Sequence, residues 1–207
     1  MRRLRYVLPA LVLAAMAASA QAQIGAYVNP VFNRIDNSTP DTGPFAFLGD
    51  GVTSRTFGGL DFGGYYNITQ GAGAKLGVDL RDTIVHANNA SLNTFAVAAR
   101  IEAPPLMHGL RPYAQLSVGA ARSKAPQSSV HTTRGAFGGF VGLDLPLNPH
   151  VDFRIVELGY GGVTTTNSYI YGGATPIGSS TQISVSSGLV FRFRVPGLPK
   201  KEKLPSY

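Results

Sequence analysis

There is no cysteine in this sequence. The chain must hold itself together by hydrogen bonding and packing, because disulfides are excluded. Past residue 22 there is no long apolar run either: every later hydrophobic stretch is broken within a few residues by Gly, Asp, Arg, Asn or Pro. That argues against any spanning helix beyond the N-terminus. A dense basic patch interleaved with aromatics is also missing, and with it the usual footprint of nucleic-acid binding. No two of the four histidines (His86, His108, His131 and His150) stand at i, i+2 or i+4. With no thiolates available, no metal-ligand spacing forms and no cofactor is implied.

What is present begins at the N-terminus. Arg2, Arg3 and Arg5 make a basic start, residues 6–18 are apolar, and Ala18, Ser19, Ala20, Gln21 and Ala22 offer small-residue cleavage before Gln23 or Gln21. The apolar run is shorter than the roughly 20 residues that span a bilayer. Residues 1–22 therefore read as a cleaved signal peptide rather than an anchor helix. Cleavage takes three arginines from 18 basic residues, leaving 15 against 11 acidic ones, so the formal charge falls from +7 to +4. Lys200, Lys201 and Lys203 lie in the tail beside Glu202, so the body keeps only about +2. The high isoelectric point says little about nucleic acid.

From residue 23 the polarity repeats every two residues, not every 3.6. Ala74, Leu76, Val78 and Leu80 alternate with Lys75, Gly77, Asp79 and Arg81. Phe95, Val97, Ala99 and Ile101 alternate with Thr94, Ala96, Ala98 and Arg100, and Ala114, Leu116, Val118 and Ala120 with Tyr113, Gln115, Ser117 and Gly119. In the last such segment Ile183, Val185, Leu189, Phe191 and Phe193 share a face opposite Gln182, Ser184, Ser186, Gly188 and Arg192. Strands around 24–34, 55–68, 132–145 and 151–161 bring the set to eight, each near the length of a tilted transmembrane strand.

Charge placement separates a membrane barrel from a soluble one. Asp61, Lys75, Asp79, Arg100, Asp144, Asp152, Arg154 and Arg192 fall mid-strand on the polar face, in both signs. A soluble lipocalin-like barrel has no need of such balance. A barrel with lipid outside must turn its charges inward and pair them there. Small residues on the same face (Gly63, Gly77, Ser117, Gly119, Gly138 and Gly142) leave room for long charged side chains. The connections give a second indication. They are long at 35–54, short at 69–72, medium at 82–90, 103–111 and 124–131, short at 146–150 and long at 162–180. With a periplasmic N-terminus the long ones fall outside, and only 103–111, with Pro104, Pro105 and Gly109, exceeds a short periplasmic turn.

Ser186, Gly188, Phe191 and Phe193 match polar-x-Gly-x-x-aromatic-x-aromatic, which resembles the signal read by the outer-membrane assembly machinery. With the eight alternating segments, the region from about Gln23 to Phe193 resembles the small bacterial outer-membrane β-barrel superfamily of the OmpA/OmpX type. The resemblance implies an all-β fold: a closed, antiparallel, up-and-down transmembrane barrel of eight strands over residues 23–193. Residues 194–207 follow as a basic, Pro-rich periplasmic tail. It also implies a monomer in the bacterial outer membrane after signal-dependent export. Its partners would be outer-membrane lipids and lipopolysaccharide, with the assembly machinery and periplasmic chaperones during biogenesis.

Three functions stay open at this stage. The first is a structural or surface-interaction barrel whose lumen is filled by side chains, as eight strands allow. A narrow channel lined by Lys75, Arg100, Arg154 and Arg192 is the second, and a soluble periplasmic ligand-binding barrel the third. Enzyme activity is not expected, because His131 is followed by Thr132 and Thr133, and no His-x-Ser pattern supplies a nucleophile with its base.

Overall fold

In the computed structural model the described residues are 23–43, 46–71, 73–163 and 180–194. The predicted signal peptide lies outside them, as does the predicted tail apart from Arg194. Eight strands follow one another: β1 (Gln23–Asp36), β2 (Ser54–Gly71), β3 (Ala74–Ala87), β4 (Ala90–Glu102), β5 (Arg111–Lys124), β6 (His131–Pro146), β7 (Val151–Val163) and β8 (Ser180–Arg194). Each pairs antiparallel with its sequence neighbour, and β8 returns to β1, so the sheet closes into an up-and-down barrel. Closure leaves no unpaired edge, which a lipid environment requires of any sheet.

Side-chain alternation sorts along the strands as the sequence pattern predicts, except at a break in β7. Leu116, Val118, Phe95, Leu80, Phe32, Phe137 and Tyr160 are exposed on the outside, while Asp61, Asp79, Arg100, Asp144, Arg154 and Glu157 are buried inside. This is the reverse of a soluble barrel.

On the inner face large residues lie opposite small ones. Tyr65 lies opposite Gly25, Tyr27 opposite Gly63, Tyr113 opposite Gly142 and Phe140 opposite Gly159. At each of these glycines a Cβ would run into the partner's side chain. The aromatic ring covers the bare backbone of its neighbour, so each pair helps to pin its register.

Two irregularities meet at the closing strand. The β1–β8 ladder pauses between the pairs Val28↔Leu189 and Val31↔Ser186. Pro30, which has no N–H to give, sits in that pause. On the other flank of β8 the register shifts between Arg154 and Glu157, a bulge at Ile155–Val156. Ser187 takes advantage of it, its hydroxyl donating to the Arg154 carbonyl at 2.9 Å. Gly188 fits between these features, since a Cβ there would meet the Val28 carbonyl and Asn29.

One connection differs from expectation. The sequence reads 82–90 as a medium loop, yet β3 and β4 run on to a two-residue turn at Asn88 and Asn89. Both residues have positive φ, 44° and 66°. Asparagine tolerates that geometry, and a two-residue turn of this hand matches the twist of a tight hairpin. The 103–111 connection is a structured turn, with a 3-10 turn at Met107–Gly109.

Candidate functional site

The interior is the chemically distinctive part of the molecule. Among the described residues its ion pairs and hydrogen bonds gather six cations (Lys75, Arg81, Arg100, Arg111, Arg154, Arg192) and six carboxylates (Asp61, Asp79, Glu102, Asp144, Asp152, Glu157). Within this set the charges balance. Glu157 is the hub: it takes both terminal nitrogens of Arg81 at 2.8 Å, Arg154 at 3.3 Å and the Tyr113 hydroxyl at 2.6 Å. Arg154 also reaches Asp144 at 3.0 Å, and Arg81 lies 3.5 Å from Asp61. Tyr27 donates to Asp79 at 2.9 Å and accepts from Arg81 at 3.2 Å. A forked guanidinium on a carboxylate is the geometry in which such a pair recovers most of its desolvation cost.

The arginines are stacked as well as paired. Arg100 lies over Tyr65 at 4.4 Å and over Tyr113 at 3.7 Å. Arg154 bridges Tyr113 and Tyr27 at 4.7 and 4.6 Å, and Arg81 bridges Tyr27 and Phe140 at 5.5 and 4.1 Å. The order Tyr65, Arg100, Tyr113, Arg154, Tyr27, Arg81, Phe140 makes one alternating column of rings and guanidinium planes through the interior. Each contact is worth about 0.5–2 kcal/mol where it is desolvated.

Toward the loop end of the barrel the lining changes character. Val31, Ile35, Phe57, Val85, Ala90, Leu92, Ala121 and Val163 form an apolar cluster, and the β1–β2 connection folds into it with Phe47 and Leu48. The Phe47 and Phe57 rings stack at 5.2 Å and 8°. Buried Asp41 organises that connection: its carboxylate accepts from the Leu48 N–H at 2.9 Å and the Asn37 amide at 2.7 Å. Its backbone pairs with Val52 and Gly51. Burial holds the Asp41 carboxyl above its ordinary pKa, and the Leu48 and Asn37 hydrogen bonds pull the other way. Between the apolar cluster and the Arg81–Glu157 pair lies a cavity of about 30 Å³ bordered by Val31, Thr83, Thr94, Ser117 and Ser184. That is room for one or two waters.

All eight residues of the sequence-predicted charge cluster turn inward, but not at one level. Lys75, Asp152 and Arg192 sit near strand ends rather than mid-strand. There Lys75 pairs with Glu102 at 2.7 Å, and Asp152 with Arg111 at 3.2 Å and Arg192 at 2.8 Å. Sequence reasoning left Arg81, Glu102, Arg111 and Glu157 out of the cluster. Arg81 and Glu102 share the parity of Asp79 and Arg100, so spacing could have found them. Glu157 is three residues from Arg154 and by strict alternation faces outward; the Ile155–Val156 bulge turns it in. The one trace in the sequence is the break of alternation at those two adjacent apolar residues.

Of the assembly-signal residues, Phe191 and Phe193 face outward beside β1, and the Ser186 hydroxyl donates to Glu157 at 3.4 Å. The histidines stay apart: His86 and His131 are exposed near the loop end, His108 and His150 at the opposite end. Among the described residues no group of His, Asp or Glu is arranged to hold a metal ion.

An eight-stranded antiparallel barrel with a lipid-compatible outside and a charged inside defines a small membrane-spanning β-barrel protein. Residues 6–192 match the family model described as the outer membrane protein beta-barrel domain, and the chain belongs to that family of bacterial outer-membrane proteins. No curated protein sequence matches it. Among solved structures it is similar to Neisserial surface protein A, at 15% identity and a TM-score of 0.54, covering 82% of this chain and 97% of that one. It is also similar to Ail, the attachment invasion locus protein of Yersinia pestis, at 10% identity and a TM-score of 0.51, covering 84% and 99%. At such identities the likeness is one of fold.

Proposed function

We propose that this protein is a closed outer-membrane barrel that acts through its outer loops at the cell surface, not a pore or an enzyme. The observation that carries the reading is the double obstruction of the interior. An ion-paired column of three arginines and four rings crosses it, and the Phe47–Leu48 segment packs into its loop end. A solute would have to part both. The names of the two similar structures, a surface protein and an attachment protein, agree in kind with a surface role. The barrel end at Gln23 and Arg194 faces the periplasm, and the end at Asp36, Ser54, Val163 and Ser180 faces outward. Ser186, Gly188, Phe191 and Phe193 serve as the assembly signal.

The test is conductance across a planar bilayer. The refolded protein should give no unitary current steps, and steady open-channel conductance would overturn the closed reading. Phe47→Ser probes the upper obstruction alone. It should stay silent, because the charged column below is intact.

A further inference from the structure

Outside the barrel, on β4, β5 and β6, six polar side chains form a compact patch at the loop end. Ser91, Lys124 and His131 are directly paired across the three strands, and Asn93, Arg122 and Thr133 make the next row. Neighbours within a row lie about 5 Å apart, and the rows about 7 Å apart. The patch is basic, and nothing nearby neutralises it. Among the described residues neither Arg122 nor Lys124 has an ion-pair partner, whereas Arg34, the other outward arginine, is bound to Asp36 at 3.0 Å. The connection above the patch, 125–130, contains no charged residue, and neither does 164–179. Asp82 is the nearest outward acid, on β3, diagonal to Asn93.

The location says what such a patch meets. Below Arg122 on the same face of β5 come Ala120, Val118, Leu116, Ala114 and Pro112. The nine residues from Pro112 to Ala120, in a tilted strand, span about 20 Å of height, close to the roughly 25 Å apolar band of such barrels. Arg122 and Lys124 therefore stand at the upper edge of the membrane's apolar layer. At the opposite rim Lys75, Arg111 and Arg192 turn inward and are paired. Unpaired outward cations are confined, among the described residues, to the loop end. A guanidinium and an ammonium one i, i+2 step apart, flanked by hydroxyl, amide and imidazole donors, suit a phosphate monoester fixed at that depth.

We propose that Arg122 and Lys124, flanked by Ser91, Asn93, His131 and Thr133, bind the phosphate of an outer-leaflet glycolipid. The inference rests on the outward orientation of the loops and not on the closed interior, so conductance does not decide it. The test uses protein refolded in zwitterionic micelles and titrated with bisphosphorylated lipid A or its dephosphorylated form, with native mass spectrometry counting retained lipid. The phosphorylated form should be retained preferentially. R122Q/K124Q should weaken its binding about thirtyfold, while R122K/K124R and the already paired R34Q should leave it near wild type. Equal retention of both lipids by the wild type overturns the proposal, as does undiminished binding by R122Q/K124Q in protein that keeps its heat-dependent gel shift. Displacement by inorganic phosphate at matched concentration would assign the patch to free anions and overturn the lipid assignment.

Discussion

Glu157→Gln removes one negative charge from the middle of the barrel while keeping the shape of the side chain. In the native protein that carboxylate takes two bonds from Arg81 at 2.8 Å, one from Arg154 at 3.3 Å and one from Tyr113 at 2.6 Å. Removing one partner of a buried pair costs about 3–5 kcal/mol, because the remaining charge is left without compensation. Here both arginines keep a second carboxylate: Asp61 at 3.5 Å from Arg81, and Asp144 at 3.0 Å from Arg154. The low end applies, about 3 kcal/mol. Replacing both partners, Arg81→Met with Glu157→Leu, removes the two paired charges together and should cost less than the two single replacements summed. The chain has no tryptophan, so urea unfolding in micelles is best followed by far-UV circular dichroism and the gel shift. A Glu157→Gln midpoint within about 0.5 kcal/mol of wild type would refute the hub role. So would a double variant at least as unstable as the two singles summed.

Three further outcomes follow from other parts of the molecule. Leu116→Arg puts a charge against hydrocarbon and should destabilise the folded barrel by about 2–4 kcal/mol in the same titration, while Gln115→Arg, facing inward, should cost less; the opposite order would shift every facing by one residue. Asp41 has a raised pKa in the folded loop, so its contribution is fully present below the ordinary carboxyl pKa and fades as pH rises through the folded value. Amide-exchange protection of Leu48, corrected for intrinsic rate, should therefore be higher near pH 4 than near pH 7. Asp41→Asn should flatten that dependence, and Asp41→Ala should lower protection about tenfold or more. Finally, Phe193→Ala should accumulate in the periplasm although it still folds in detergent, and deletion of 194–207 should insert normally; cell fractionation reads both, and the reverse result would move the assembly signal elsewhere.

The two-residue alternation located the eight strands and, away from the β7 bulge, their inward and outward faces, and with the Ser186–Phe193 pattern it pointed to the family. This is because a barrel in lipid separates polar from apolar side chains locally, strand by strand. Lys75 through Arg81 and Phe95 through Ile101 show it directly. Which inward residues meet was decided only by the tertiary structure. Arg100, Arg154 and Arg81 stack between rings contributed by β1, β2, β5 and β6, and those meetings depend on closure and register rather than on neighbours in the chain. Glu157 became the hub through a one-residue bulge that reverses its facing, a displacement no fixed period can anticipate. Phe47 and Leu48 lie in a connection without periodicity. Their burial came from the shape of the barrel mouth and from the Asp41 hydrogen bonds that fold the loop into it.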